Sequence, residues 1–164
     1  MELWKPIELF EEYSVSSHGR IRSDKSGRIL ATNETQWGLV QVGLMRNGIQ
    51  YHRSVPLLVA KAYIPIKPEA FDTPINLDGD RHNNHVDNLM WRPRWFAIKY
   101  NKQFRYWAEG HISSRIQDTK NDAISENSLE CAKQYGLLEE DIIMSINMRT
   151  YVWPTYQTFR VLPN

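Results

Sequence analysis

The sequence has a single cysteine, Cys131, which excludes an internal disulfide and a cysteine-built zinc site and suits a reducing compartment. No stretch approaches the roughly 18 apolar residues that a membrane span requires. Neither charge is in excess: 20 Lys and Arg stand against 19 Asp and Glu. That balance excludes a histone-like or polybasic tail. It does not exclude a nucleic-acid binder, because the distribution of charge matters more than its sum. The N-terminus, MELWKPIELFEEY, lacks the basic start and apolar run of a signal peptide. A soluble, cytoplasmic chain with no membrane partner is therefore expected. There is no internal repeat.

What is plentiful is aromatic: six Trp, eight Tyr and five Phe make up 12% of the chain. With 41% hydrophobic residues in 164, one domain or two small ones can bury a core. Residues 1–66 contain short β-like runs punctuated by glycine, at Tyr13 to Ser16, Arg20 to Ser23 and Arg28 to Leu30. Leu39 to Leu44 and Ile49 to Arg53 flank Asn47-Gly48, a strong two-residue hairpin signal. From Val55 to Tyr63 the period changes. Leu58, Val59 and Ala62 share a helical face, Pro56 fits the first turn and Pro65 stops the helix. In residues 67–108, Ile75 to Gly79 reads as a strand and tight turn, Asn83-Asn84 as loop, and Asp87-Asn88-Leu89 as the start of a helix packed by Leu89 and Trp91. Residues 109–124 read as a polar linker. In residues 125–164, Ser128 is expected to cap a helix from Leu129 to Tyr135 that Gly136 ends. A second helix spans Glu139 to Met148, and an extended stretch follows around Pro154.

The segment INLDGDRHNNHVDNLMW, Ile75 to Trp91, is the most specific text in the chain. Together with the residues before it, this segment resembles the phage HNH homing endonucleases. Their pattern has a strand ending in Asn-His, then Ile-Asp-Gly, a polar loop with Asn-Asn, and Asn-Leu-x-Trp. The resemblance extends to Trp4-Lys5-Pro6-Ile7, Tyr13 to Ser16, Gly19 to Ser23 and Gly27 to Leu30, which look like the nuclease-associated modular DNA-binding domain that often precedes HNH. Leu58 to Pro65 looks like the joining helix. The fold it implies is α+β: a small antiparallel β domain, a ββα-metal motif and a helix-turn-helix-like tail.

In that family a divalent ion binds the scissile phosphate and a histidine at the strand end deprotonates the attacking water. Matched from Asp78-Gly79, the base position falls on Asn76 and the preceding ligand position on Ile75. A shift of one lets Asn76 keep the ligand position but puts Leu77 where the base belongs. Neither amide nor leucine accepts a proton from water near neutral pH, and losing a positioned base removes about 10²- to 10⁴-fold of rate. No catalytic set is intact. His82 and His85 are the nearby substitutes, and Asp78 and Asn88 are the residues left to hold a metal, Mg²⁺ being required only if nuclease activity remains. The joining helix departs too: a His-Arg pair commonly precedes Leu-Val-Ala-Lys-Ala, whereas this chain has Pro56-Leu57, with His52-Arg53 earlier.

Two basic stretches are expected to meet double-stranded DNA. Arg20, Arg22, Lys25 and Arg28 oppose one acid, Asp24, and alternation puts Arg20 and Arg22 on one strand face. Arg92, Arg94, Lys99, Lys102 and Arg105 lie in a stretch without acids, interleaved with Trp95, Phe96, Tyr100 and Phe104, which either pack a core or stack on bases. The tail resembles the helix-turn-helix module of such endonucleases. Glu139, Glu140 and Asp141 open its second helix, where they favour the helix dipole and repel phosphate. Three functions compete: a DNA-binding regulator, blocker or accessory factor with a lost nuclease, in the host cytoplasm if phage-encoded; an active metal-dependent nicking endonuclease; and a factor that binds a protein partner through the acidic tail.

Overall fold

A computed structural model describes residues 1–65, 69–106 and 108–163. The chain divides into two compact units, Met1–Arg94 and Trp95–Asn164. Its architecture is α+β, with small antiparallel sheets and, among the described residues, four α-helices. Among the described residues no helix is long and apolar enough to cross a membrane.

In the first unit β1 (Trp4–Ile7), β2 (Phe10–Ser16) and β3 (Ile21–Ser23) form one antiparallel sheet, with Trp4 opposite Ser16 and Tyr13 opposite Ser23. A second sheet holds β4 (Asn33–Glu34), β5 (Val40–Arg46) and β6 (Ile49–Ser54). Its hairpin turns at Asn47-Gly48, both at positive φ, as that dipeptide predicts. Val40, Val42 and Leu44 alternate inward and are buried with Ile7, Phe10, Val15 and Ile21.

Helix α1 (Val55–Tyr63) follows without a break, capped by the Ser54 hydroxyl accepting from Leu57 N, with Pro56 in its first turn. Its Val55, Leu58 and Val59 complete the same core. The Tyr63 hydroxyl lies 2.7 Å from the Leu3 carbonyl and 2.9 Å from that of Val15, tying the helix to both ends of the β1–β2 hairpin.

Then β7 (Thr73–Asn76) pairs with β8 (Leu89–Arg92), Asn76 opposite Leu89. This corrects one expectation. Asp87-Asn88-Leu89 starts no α-helix: Val86–Asn88 is a single 3₁₀ turn, and Leu89 and Trp91 pack as alternating residues of a strand. Period two, not a helical stripe, buries them at 5% and 4% exposure. Leu89 belongs to the same core as the N-terminal strands, so the division expected at residue 66 falls inside one unit.

In the second unit the basic helix α2 (Arg94–Gln103), which begins at the boundary, buries Phe96, Ala97 and Tyr100. Residues 109–124, expected as linker, contribute β9 (Ile116–Asp118) at the centre of a sheet between β10 (Ile124–Ser125) and β11 (Phe159–Val161). Ile116 is fully buried there. Helices α3 (Ser128–Tyr135) and α4 (Glu139–Met148) pack on this sheet through Cys131, Ala132, Ile142 and Phe159. The cap of α3 is Asn127, whose side chain accepts from Glu130 N, rather than Ser128. Ser128 is buried, and its hydroxyl accepts from Ile112 N and donates to Glu139. Gly136 ends the helix in the left-handed region, as expected.

Candidate nucleic-acid interface and the loop between β7 and β8

Strand β7 delivers Asn76 to its end, 5% exposed, and the chain turns back through residues 77–88 to β8. The Asn76 amide donates from Nδ2 to the Asn83 carbonyl at 2.9 Å and to Asn84 Oδ1 at 3.1 Å. Both of its protons are thereby engaged. Asn84 is itself buried, donates to the Arg81 carbonyl at 3.1 Å, and lies against Gly19. A Cβ on Gly19 would stand 2.9 Å from the Asn84 Cβ, and φ there is +84°, so the β2–β3 turn admits only glycine at that contact.

Asp78 and Asn88 are brought together, as donor and acceptor to each other. Asp78 Oδ1 accepts from Asn88 Nδ2 at 2.8 Å and from Asp80 N at 2.9 Å, and Oδ2 accepts from Asn83 Nδ2 at 2.7 Å. The Asn88 amide also donates to the Asn83 carbonyl at 2.8 Å, while its Oδ1 accepts from Asp78 N at 3.1 Å. That backbone donor fixes which end of the amide faces the carboxylate. An oxygen-bound divalent ion needs lone pairs converging on an empty point. Here Asn88 presents an NH₂ to Asp78, Asn76 presents an NH₂ to its neighbours, and both Asp78 oxygens already accept. Among the described residues no three His, Cys, Asp or Glu side chains converge to hold a metal. The donor set does not fit a divalent ion.

Neither substitute histidine stands free over this loop. His82 Nε2 faces Glu34 Oε2 at 3.3 Å, and the neighbouring Arg81 guanidinium donates to the Trp37 carbonyl. Together these fasten the β4–β5 turn to the loop. His85 caps the 3₁₀ turn: its Nδ1 accepts from Asp87 N at 3.2 Å and lies 3.5 Å from Asp87 Oδ2, so that nitrogen is engaged within the turn. Its ring lies tilted against that of His18, 4.5 Å between centroids.

The basic residues separate into three kinds. Lys25, Arg28, Arg94, Lys102 and Arg105 are exposed, and none makes an ion pair among the described residues. Arg20 and Arg22 share a face across the Trp4 ring, as alternation predicts, but both meet carboxylates. Arg20 binds Glu2 through two nitrogens, which holds the Glu2 carboxyl down to about 2, and Arg22 reaches Asp24 at 3.1 Å. Sequence reasoning counted Asp24 and overlooked Glu2. Lys99 pairs with Glu140 at 3.1 Å. Arg92 is a correction: at 5% exposure, with its guanidinium over Phe71 and donating to the Trp91 carbonyl, it is no part of a phosphate-tracking face. The aromatics of α2 are mostly core. Phe96 and Tyr100 are fully buried and mutually stacked, whereas Trp95 is 55% exposed and stacks on Trp153.

A search for charge misses a further surface. On the outer face of the β4–β5–β6 sheet, cross-strand partners place Asn33, Gln41 and Ser54 in one row, Gly43 and His52 in the next, and Met45 and Gln50 in the third. None carries a fixed charge, in a chain that is 24% charged. The side chains of Asn33, Gln41, Gln50 and His52 make no hydrogen bond among the described residues. The signal available beforehand was the alternation of β5 and β6 around Asn47-Gly48, which already assigned these positions to one face.

The NUMOD4 motif matches residues 2–44. Over 88 residues, 54% of this chain and 26% of the relative, the sequence is 35% identical to the uncharacterized HNH endonuclease L245 of Acanthamoeba polyphaga mimivirus. Over 93 residues, 54% of this chain and 51% of the relative, it is 32% identical to DNA endonuclease I-HmuI of Bacillus phage SP01. The chain thus aligns with about a quarter of the mimivirus protein and half of the phage protein. A solved structure titled for DNA binding and cleavage by the HNH homing endonuclease I-HmuI has the same fold, with a TM-score of 0.57 over 99% of both chains at 20% identity.

Proposed function

We propose that this member of the HNH homing-endonuclease family binds double-stranded DNA without cutting it, its former nuclease loop now a hydrogen-bonded scaffold. One observation carries the reading: the residue at the base position is a buried asparagine whose amide protons are both donated within the loop. An amide so held does not take a proton from water, and Asn88 turns its NH₂ rather than its oxygen towards the Asp78 carboxylate. The retained surfaces point to DNA. Exposed cations at Lys25, Arg28, Arg94, Lys102 and Arg105 supply phosphate contacts, and the uncharged outer face of β4–β6 supplies groups that pair with base edges. In this reading α3 and α4 form a helix-turn-helix-like module that supports the fold. The acids at the start of α4 give little to a protein partner, since Glu139 is buried and Glu140 holds Lys99.

Two assays test it. A gel shift on duplex DNA should show binding that weakens steeply with salt, and plasmid incubated with Mg²⁺ or Mn²⁺ at high protein concentration should remain supercoiled. Absence of binding at low salt across varied sequences refutes the proposal. So does nicking that His82→Ala or His85→Ala abolishes, which would establish a substitute base and an active metal-dependent enzyme.

A further inference from the structure

We infer that Gln50 reads an adenine in the major groove, and that Gly43 exists to hold its amide in reading position; this rests on the DNA-binding function proposed above. The Gln50 side chain lies flat across Gly43 on the neighbouring strand. A Cβ at Gly43 would fall 2.2 Å from Gln50 Nε2 and 3.1 Å from its Cδ, so the amide occupies the space that any other residue would fill. The glycine is not there for its backbone: it sits inside β5, opposite His52, and is absent from the positive-φ positions. What its missing side chain provides is a bed for the amide.

That amide makes no hydrogen bond among the described residues and is exposed. The amides of the 76–88 loop show the contrast: those of Asn76, Asn84 and Asn88 are each held by two or more bonds, and that of Asn83 by Asp78. A glutamine pinned by shape but left without partners on a flat, uncharged sheet face is a free donor–acceptor fork. The base edge that such a fork matches is adenine, whose N7 accepts and whose N6 donates in the major groove; guanine offers two acceptors there and suits a cation. Phosphate is a poor match, since no fixed charge lies in these three rows.

The test begins with the full chain and selection of bound duplexes from a randomised library, followed by dissociation constants at one fixed, low salt concentration. One position of the selected site should require adenine, with replacement by guanine weakening binding about five- to 150-fold, the range for one bidentate base contact. In Gln50→Ala, whose exposed side chain no packing depends on, that position alone should lose its preference while the others keep theirs. Replacing the adenine by 7-deazaadenine should weaken wild-type binding and leave Gln50→Ala unchanged. Gly43→Ala should lose the same preference with little change in melting temperature, because its Cβ meets only the far end of a flexible side chain. An adenine preference that survives Gln50→Ala, or a selected site with no adenine requirement, overturns this inference and leaves DNA binding standing. Failure to bind any duplex overturns both.

Discussion

Replacing Asn76 by alanine should reveal that the loop depends on its hydrogen bonds and not on a metal ion. The substitution removes two bonds, at 2.9 and 3.1 Å. Their acceptors fare differently. The Asn83 carbonyl keeps its bond from Asn88 and lies in an exposed residue, whereas Asn84 Oδ1, in a residue 4% exposed, is left without Asn76. Two net hydrogen bonds and one stranded acceptor together cost about 2–4 kcal/mol. Urea unfolding followed by circular dichroism should show that loss, with the slope unchanged. The control is metal. An ion present at about a hundred times its dissociation constant would stabilise the fold by about 2.7 kcal/mol, so Mg²⁺ should shift the midpoint of neither protein, nor should EDTA. A loss below about 1 kcal/mol would refute the scaffold reading. So would a Mg²⁺-dependent stabilisation of wild type that disappears in Asp78→Ala.

Glu2→Gln should strengthen DNA binding at low salt, since it releases Arg20 from its carboxylate partner, and should steepen the salt dependence by about one phosphate contact. Fluorescence anisotropy measures both, and an unchanged or weaker affinity would remove Arg20 from the interface. The same pair fixes the sign of an acid effect. The Glu2 carboxyl is depressed from 4.5 to about 2 by its bond from Arg20, so what it adds to stability is present above the unfolded value and is lost as pH falls from about 5 towards 2. Being surface-exposed, that contribution is small. Cys131, whose thiol burial pushes up to about 12, should resist iodoacetamide at pH 8, where about one molecule in 10⁴ carries a thiolate, until urea exposes it. Stoichiometric labelling of the folded protein would contradict the packing of α3. Gly136→Ala should cost the C-terminal unit about 1 kcal/mol, because φ is +60° there; an unchanged urea midpoint would show that the cap relaxes.

Local chemistry made some elements legible. Asn-Gly between alternating runs marked the β5–β6 hairpin, Pro56 the start of α1, and Gly136 the end of α3. Misreadings arose where the deciding partner is distant or the element short. Asp87-Asn88 looks like a helix start because acids and amides cap helices, yet Leu89 to Arg92 becomes a strand because β7 is available to pair with it. Strands of two or three residues, such as β9 and β10, carry no period to detect. Arg28 to Leu30, expected as a strand, forms only an isolated bridge between Ile29 and Arg22.

The site shows the same division between chemistry and placement. The family pattern, matched from Asp78-Gly79, puts the base position on Asn76, or on Leu77 after a shift of one. Why asparagine suits its place is not legible in that pattern, because its meaning lies in what surrounds it. Asn76, Asn83, Asn84 and Asn88 are four amides whose donors and acceptors match one another, with Asp78 accepting three of the protons in or beside the ring. A histidine at position 76 would offer a planar ring with one donor, and could not reach both the Asn83 carbonyl and Asn84 Oδ1 from a single nitrogen as the amide does. The loop is therefore adapted to its amide, and a histidine at position 76 would require Asn84 and Asn88 to change with it: the first to admit a ring, the second to turn its oxygen from the Asp78 backbone towards the Asp78 carboxylate.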